Sequence, residues 1–171
     1  MFKRITREIN FSGDNIPVIV LGAFICCIGG VFLWVSGDSN WYYTKVLHMD
    51  YVVMPLGIIF VIWLIAYALS GFVLAMSCLA DRVCCNGRFI GLRCAFIGGF
   101  GYLMMLLWYV LSFCTRLAFF GIILLILSIV AFGIIFVVTR RTFLLLNVAI
   151  ILIEVVQVYF LCFSFSLYLL I

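Results

Sequence analysis

The sequence predicts an all-α integral membrane protein, a bundle of five transmembrane helices, and three observations carry that expectation. First, the 171 residues are 69% hydrophobic and only 9% charged, against about 25% charged in ordinary soluble domains. Sixteen charges (ten Lys and Arg, six Asp and Glu) do not cover a soluble surface of this size. The same numbers exclude a disordered chain, a basic nucleic-acid binder and a secreted disulfide scaffold. Second, the apolar residues fall in long charge-free runs, and a bilayer core of about 30 Å is crossed by roughly 20 such residues in a helix. Third, these runs hold eighteen Phe and only two Pro without apolar–polar alternation, whereas the strands of a membrane β-barrel alternate.

The elements follow in order. Span one covers residues 15–37 and ends before Asp38. It follows a basic segment, but its run exceeds the roughly 7–15 residues of a signal-peptide core, so it reads as an uncleaved helix. Span two, 51–80, lies between Asp50 and Asp81. Span three, 89–115, holds only Arg93, near its start. Span four, 117–139, lies between Arg116 and Arg140. Span five, 142–171, holds Glu154 as its one charge. Together they make residues 1–171 a single transmembrane domain with no room for a soluble one.

Orientation follows from the basic residues, which are retained on the cytoplasmic side in short loops. Lys3, Arg4 and Arg7, then Arg82, Arg88 and Arg93, then Arg140 and Arg141 fall on one side, against Lys45 and Arg116 on the other. This places the amino terminus inside and the carboxyl terminus outside.

Residues 38–50 form the sizeable outer loop. Its Trp41, Tyr42 and Tyr43 suit the membrane interface, where aromatic residues concentrate, and equally a lid over a ligand pocket. Of the eight cysteines, Cys84 and Cys85 are vicinal with Cys78 and Cys94 nearby, and no CxxC pair occurs. Metal-site spacing is therefore missing, and no metal is expected. Lipidation of the vicinal pair fits its predicted cytoplasmic position better. The intramembrane cysteines read as small hydrophobes.

Span two contains a tryptophan at depth. Trp63 lies twelve residues past Tyr51, roughly 18 Å into the membrane and near its midplane. Trp63, Tyr67 and Ser70 share one helical face, and their polar hydrogens need partners where water is absent. That face should turn toward the other helices, as a packed contact or as a ligand wall. Glu154 reaches a similar depth in span five, with Asn147 and Gln157 near its face. An intramembrane carboxyl should face the bundle and be protonated or find a donor. Trp63 and Tyr67 are candidate donors for it. Gly91, Ala95 and Gly99 in span three, and Gly71 and Ala75 in span two, recur at four-residue spacing, which lets helices approach closely within a bundle or across a dimer seam. His48 reads as a solvated loop residue. No nucleophile with its base, carboxylate pair or phosphate loop is found, so no catalytic residue is assigned and the protein is not expected to be an enzyme.

The run MPLGIIFVIWLIAYALSG, Met54 to Gly71, resembles the signature of the translocator protein / tryptophan-rich sensory protein family. That family has a proline at the start of helix two and then a V-x-W-x-x-x-Y-x-x-x-G core, here Pro55, Val61, Trp63, Tyr67 and Gly71. Pro17, the pair Gly29 and Gly30, the Trp41–Tyr42 pair, and Trp108 with Phe113 line up as well. The chain is thus similar to a divergent member over most of its length. Met54 and Gly57 stand where the family has a second proline and a tryptophan. Gly101 and Met105 replace Gln and Asn. Asn147, Val148, Ile151 and Tyr159 depart from the family on helix five.

The resemblance implies five helices, often dimeric through helix three, with a pocket capped by the first loop. It implies a porphyrin, haem or sterol ligand, with Trp41, Trp63, Tyr67 and Trp108 as matched pocket residues. Glu154 would be a local addition, and Gly91, Ala95 and Gly99 dimer candidates. Relatives occupy bacterial cell membranes and the outer mitochondrial membrane. Partners on this reading are membrane lipids and a second copy or other membrane subunits. Two rival expectations stand beside ligand binding: an accessory subunit of a larger membrane complex that kept the bundle but lost the pocket, and a small transporter using Glu154 for proton coupling.

Overall fold

A computed structural model of the chain describes residues 15–35, 56–83, 90–114, 117–140 and 144–168. They form five helices: α1 (Ile16–Val35), α2 (Leu56–Val83), α3 (Ile90–Tyr109), α4 (Ala118–Thr139) and α5 (Leu144–Tyr168). A π-helical turn, Val110–Cys114, extends α3. Among the described residues there is no strand, and each helix satisfies its backbone hydrogen bonds within itself, as hydrocarbon requires. Four helices, α2 to α5, are long and apolar enough to cross a membrane. The fifth, α1, is an apolar helix of 20 residues, or about 30 Å. The all-α membrane bundle expected from the sequence is therefore the observed architecture.

Contacts place successive helices antiparallel. Gly22 meets Gly71 while Gly30 meets Tyr67. Ser128 on α4 meets Gly101 on α3 and Gln157 on α5. Helix α2 packs on α3, α3 on α4, α4 on α5, and α5 returns to α2. The four thus close a ring, and α1 lies outside it along α2. The residues inside the ring are buried: Trp63, Trp108, Phe132, Phe160, Met105, Leu125 and Ile150. Apolar side chains on the outer faces are open, with Phe32 73%, Phe96 72% and Val137 62% exposed. In water such a surface would aggregate; in a bilayer it meets lipid tails.

Glycine decides how α1 seats. A Cβ on Gly71 would collide with the Gly22 carbonyl and with Ala23 Cα, and one on Gly22 would lie 2.9 Å from the Gly71 oxygen. The two backbones therefore touch. Gly29 accommodates the Tyr102 hydroxyl and Gly30 the Tyr67 ring. The paired glycines of α1 are thus seats for two tyrosines from α2 and α3.

Small residues in α3 divide between the bundle interior and its outer face. The close contacts inside the bundle are made by Gly98, against Leu74 and Ile135, and Gly101, against Phe132 and Ala131. Gly91 is buried, but Ala95 and Gly99 are half-exposed. These two floor a shallow outer groove with Leu92, Phe96, Phe100 and Leu103. Of the three, only Gly91 is buried in the bundle.

Candidate functional site

The interior of the ring is aromatic. Trp63 stacks on Trp108 at 4.7 Å between centroids, and lies 4.8 Å from Phe160. Trp108 meets Phe160 edge-on at 5.6 Å. Three helices thus converge on one contact, with α3 and α5 meeting across the ring. Tyr67 continues the cluster below Trp63, 5.5 Å away, and Tyr102 stands edge-on to it at 5.8 Å. Tyr102 then donates its hydroxyl to the Cys26 carbonyl at 2.8 Å, tying α3 to α1. Edge-on and offset rings of this kind are the favoured aromatic geometries.

Trp63, Tyr67 and Ser70 are all buried, 1%, 4% and 0% exposed, so the face predicted to turn inward does so. Within the described apolar stretch of α2, Gly57–Leu79, Trp63 lies roughly 9 Å from the first residue and Tyr67 nearer the middle. The aromatic cluster therefore sits toward the end of the bundle where α1 finishes and α2 begins. Trp41 lies outside the described residues.

Polar groups inside the ring are partly satisfied. The Trp108 indole donates to Ser164 Oγ at 2.8 Å, and that hydroxyl donates to the Phe160 carbonyl. The Gln157 amide donates to Ser128 Oγ at 2.7 Å, which donates to the Gly101 carbonyl at 2.8 Å. Nearer the other end, Asn147 and Thr139 pair. Such side-chain bonds join helices where hydrocarbon offers no alternative partner. By contrast, the Trp63 indole nitrogen and the Gln157 Oε1 oxygen are buried without a partner among the described residues. Buried polar groups are nearly always bonded, so an orphaned donor and an orphaned acceptor in one interior are notable.

Glu154 departs from the expected pairing. It makes no hydrogen bond with Trp63 or Tyr67; its Oε1 is buried and unpartnered, and it faces Gly133 on α4. Helix α5 turns Gln157 and Phe160 to the ring interior, and Glu154 stands one turn back at the edge of that face. The structure thus brings together Trp63, Tyr67 and Trp108 and sets Glu154 apart. Sequence reasoning passed over Tyr102, Phe160 and Ser164. Ser164, seven residues beyond Gln157 on the same helical stripe, carried a legible signal; Phe160 and Tyr102 were two among many aromatic residues.

Chemically, the arrangement offers flat apolar walls and a few hydrogen-bonding groups. Among the described residues no three His, Cys, Asp or Glu side chains group to hold a metal ion, and Cys26, Cys27, Cys78 and Cys94 are free thiols. Compared with known proteins, the chain matches no family model, no curated protein and no solved structure.

Proposed function

We propose that this is a non-enzymatic membrane protein, resembling the translocator/sensory family, that takes a flat apolar ligand such as a porphyrin, haem or sterol-like lipid between its helices. The observation that carries this reading is the Trp63–Trp108–Phe160 cluster with an unpartnered indole N–H at its centre. Aromatic walls with few convergent polar groups are what apolar ligand sites are made of, and a ligand carbonyl, carboxylate or hydroxyl would accept from Trp63. Trp63, Tyr67 and Trp108 are its wall residues, and Trp41 is a candidate contact that the family resemblance implies. Ligand entry requires the rings to part, because Trp63 stacks on Trp108 and packs against Phe160.

Titration with protoporphyrin tests this. The tryptophan emission of the purified protein should fall saturably, and Trp63→Phe, which removes the donor but keeps a ring, should weaken binding about 2- to 13-fold, the worth of one hydrogen bond to a neutral acceptor. Emission unmoved at saturating porphyrin would count against ligand binding. A second reading, an accessory subunit that kept the bundle, is favoured by the mutual contact of the same rings. It predicts stoichiometric co-purification with other membrane chains in mild detergent.

A further inference from the structure

Glu154 presents a need that lipid tails do not meet. It lies ten residues from the start and eleven from the end of the apolar span Leu144–Phe165, roughly 15 Å from either end, too deep for a short side chain to reach headgroups. One carboxyl oxygen is buried and unpartnered among the described residues. Nothing titratable faces it from α4, whose segment Ala118–Thr139 carries no ionisable side chain, and Gly133 opposite leaves a notch in which a Cβ would stand 3.7 Å from Oε1. The rim around it is open and β-branched: Val130 and Ile134 on α4, Ile151, Val155 and Val158 on α5, each between 46% and 62% exposed. An apolar groove such as that floored by Ala95 and Gly99 is satisfied by acyl chains. A carboxyl is not.

What would satisfy it follows from its chemistry. Hydrocarbon holds an unpaired acid at least cost in its neutral form, and a neutral carboxyl carries both an O–H donor and acceptor lone pairs. Such a group is complementary to itself. A two-fold interface requires self-complementarity of the residue nearest its axis. We propose that the outer face of α4 and α5 is the seam of a symmetric dimer of this chain, in which the Glu154 side chains turn from the Gly133 notch to the rim and the two carboxyls hydrogen-bond to each other.

Energy transfer between donor- and acceptor-labelled full-length chains in liposomes, measured across protein-to-lipid ratios, tests the seam. The unaltered chain dimerises. Glu154→Gln retains dimers, since a carboxamide is also its own complement, whereas Glu154→Val weakens them about tenfold, as expected for interhelical hydrogen bonds in a membrane. Gly99→Leu, which fills the α3 groove, leaves dimerisation unchanged. Val155→Trp blocks the seam from a residue 62% exposed, so the outcome does not depend on how Glu154→Val folds. A chain that stays monomeric at every density, dimers indifferent to both Glu154→Val and Val155→Trp, or dimers lost in Gly99→Leu would each overturn the proposal.

Discussion

Replacing Gly71 by alanine adds one methyl group where α1 and α2 touch through their backbones. The new Cβ would fall under 3.0 Å from the Gly22 carbonyl carbon and oxygen and from Ala23 Cα. None of these is the end of a flexible side chain, so no rotamer change relieves the overlap. The helices must separate instead, and an opening of 0.5–1 Å forfeits roughly a quarter to a half of the dispersion well of every pair along the seam. Overpacking of this kind costs about 1–3 kcal/mol. Alanine's better helix propensity returns up to about 1 kcal/mol, leaving a net loss of up to about 2 kcal/mol. Helix α1 is especially sensitive because it rests mainly on α2. The matched control is Gly57→Ala, since a Cβ there meets nothing within 4 Å; it should be neutral or slightly stabilising. Reversible unfolding in mixed micelles, titrated with a denaturing detergent, reads both variants. Equal stability of the two would refute the backbone contact of α1 and α2.

Further outcomes follow from the hydrogen bonds. A double-mutant cycle of Ser128→Ala with Gln157→Leu should return a coupling of about 0.6–1.7 kcal/mol, the range of side-chain bonds between membrane helices, in the same unfolding assay; additive losses would mean the two side chains do not meet. Tyr102→Phe deletes the O–H donated to the Cys26 carbonyl and should lower stability by about 1 kcal/mol, while raising hydrogen–deuterium exchange in α1 more than in α5. Trp108→Phe removes the bond to Ser164 and should cost more than Trp63→Phe, whose indole N–H has no partner to lose; the reverse order in thermal unfolding would contradict the observed bonding.

The fold was legible because hydrocarbon leaves few options. Charge-free runs bounded by Asp38, Asp50, Asp81, Arg116 and Arg140 had to be helices, and the observed elements fall within those bounds or extend a few residues past them. The inward face of α2 was legible for the same reason: the polar hydrogens of Trp63, Tyr67 and Ser70 are poorly placed against lipid. Partners were not legible. Asn147, Glu154 and Gln157 look alike as polar residues on one helix, yet Asn147 found Thr139, Gln157 found Ser128, and Glu154 found neither Trp63 nor Tyr67. Helical spacing fixes a residue's direction to within a few tens of degrees, and the rotation that separates the ring interior from its rim is of that size. Nor did spacing identify the working glycines. Gly98 and Gly101 pack against α2 and α4, while Ala95 and Gly99, equally well spaced, face outward, because a small-residue repeat records the possibility of close approach and not its side. The π-helical turn after Tyr109, which shifts the register of the last turn of α3, left no periodic mark in the sequence.

Quenching by lipids brominated along their acyl chains addresses the aromatic interior most directly. In a chain carrying Trp34→Phe and Trp41→Phe, emission comes only from Trp63 and Trp108, 1% and 0% exposed. Rings enclosed by α2, α3 and α5 should keep nearly all their emission when brominated lipid replaces ordinary lipid. Strong quenching would mean that acyl chains touch those rings, and the interior site would not exist.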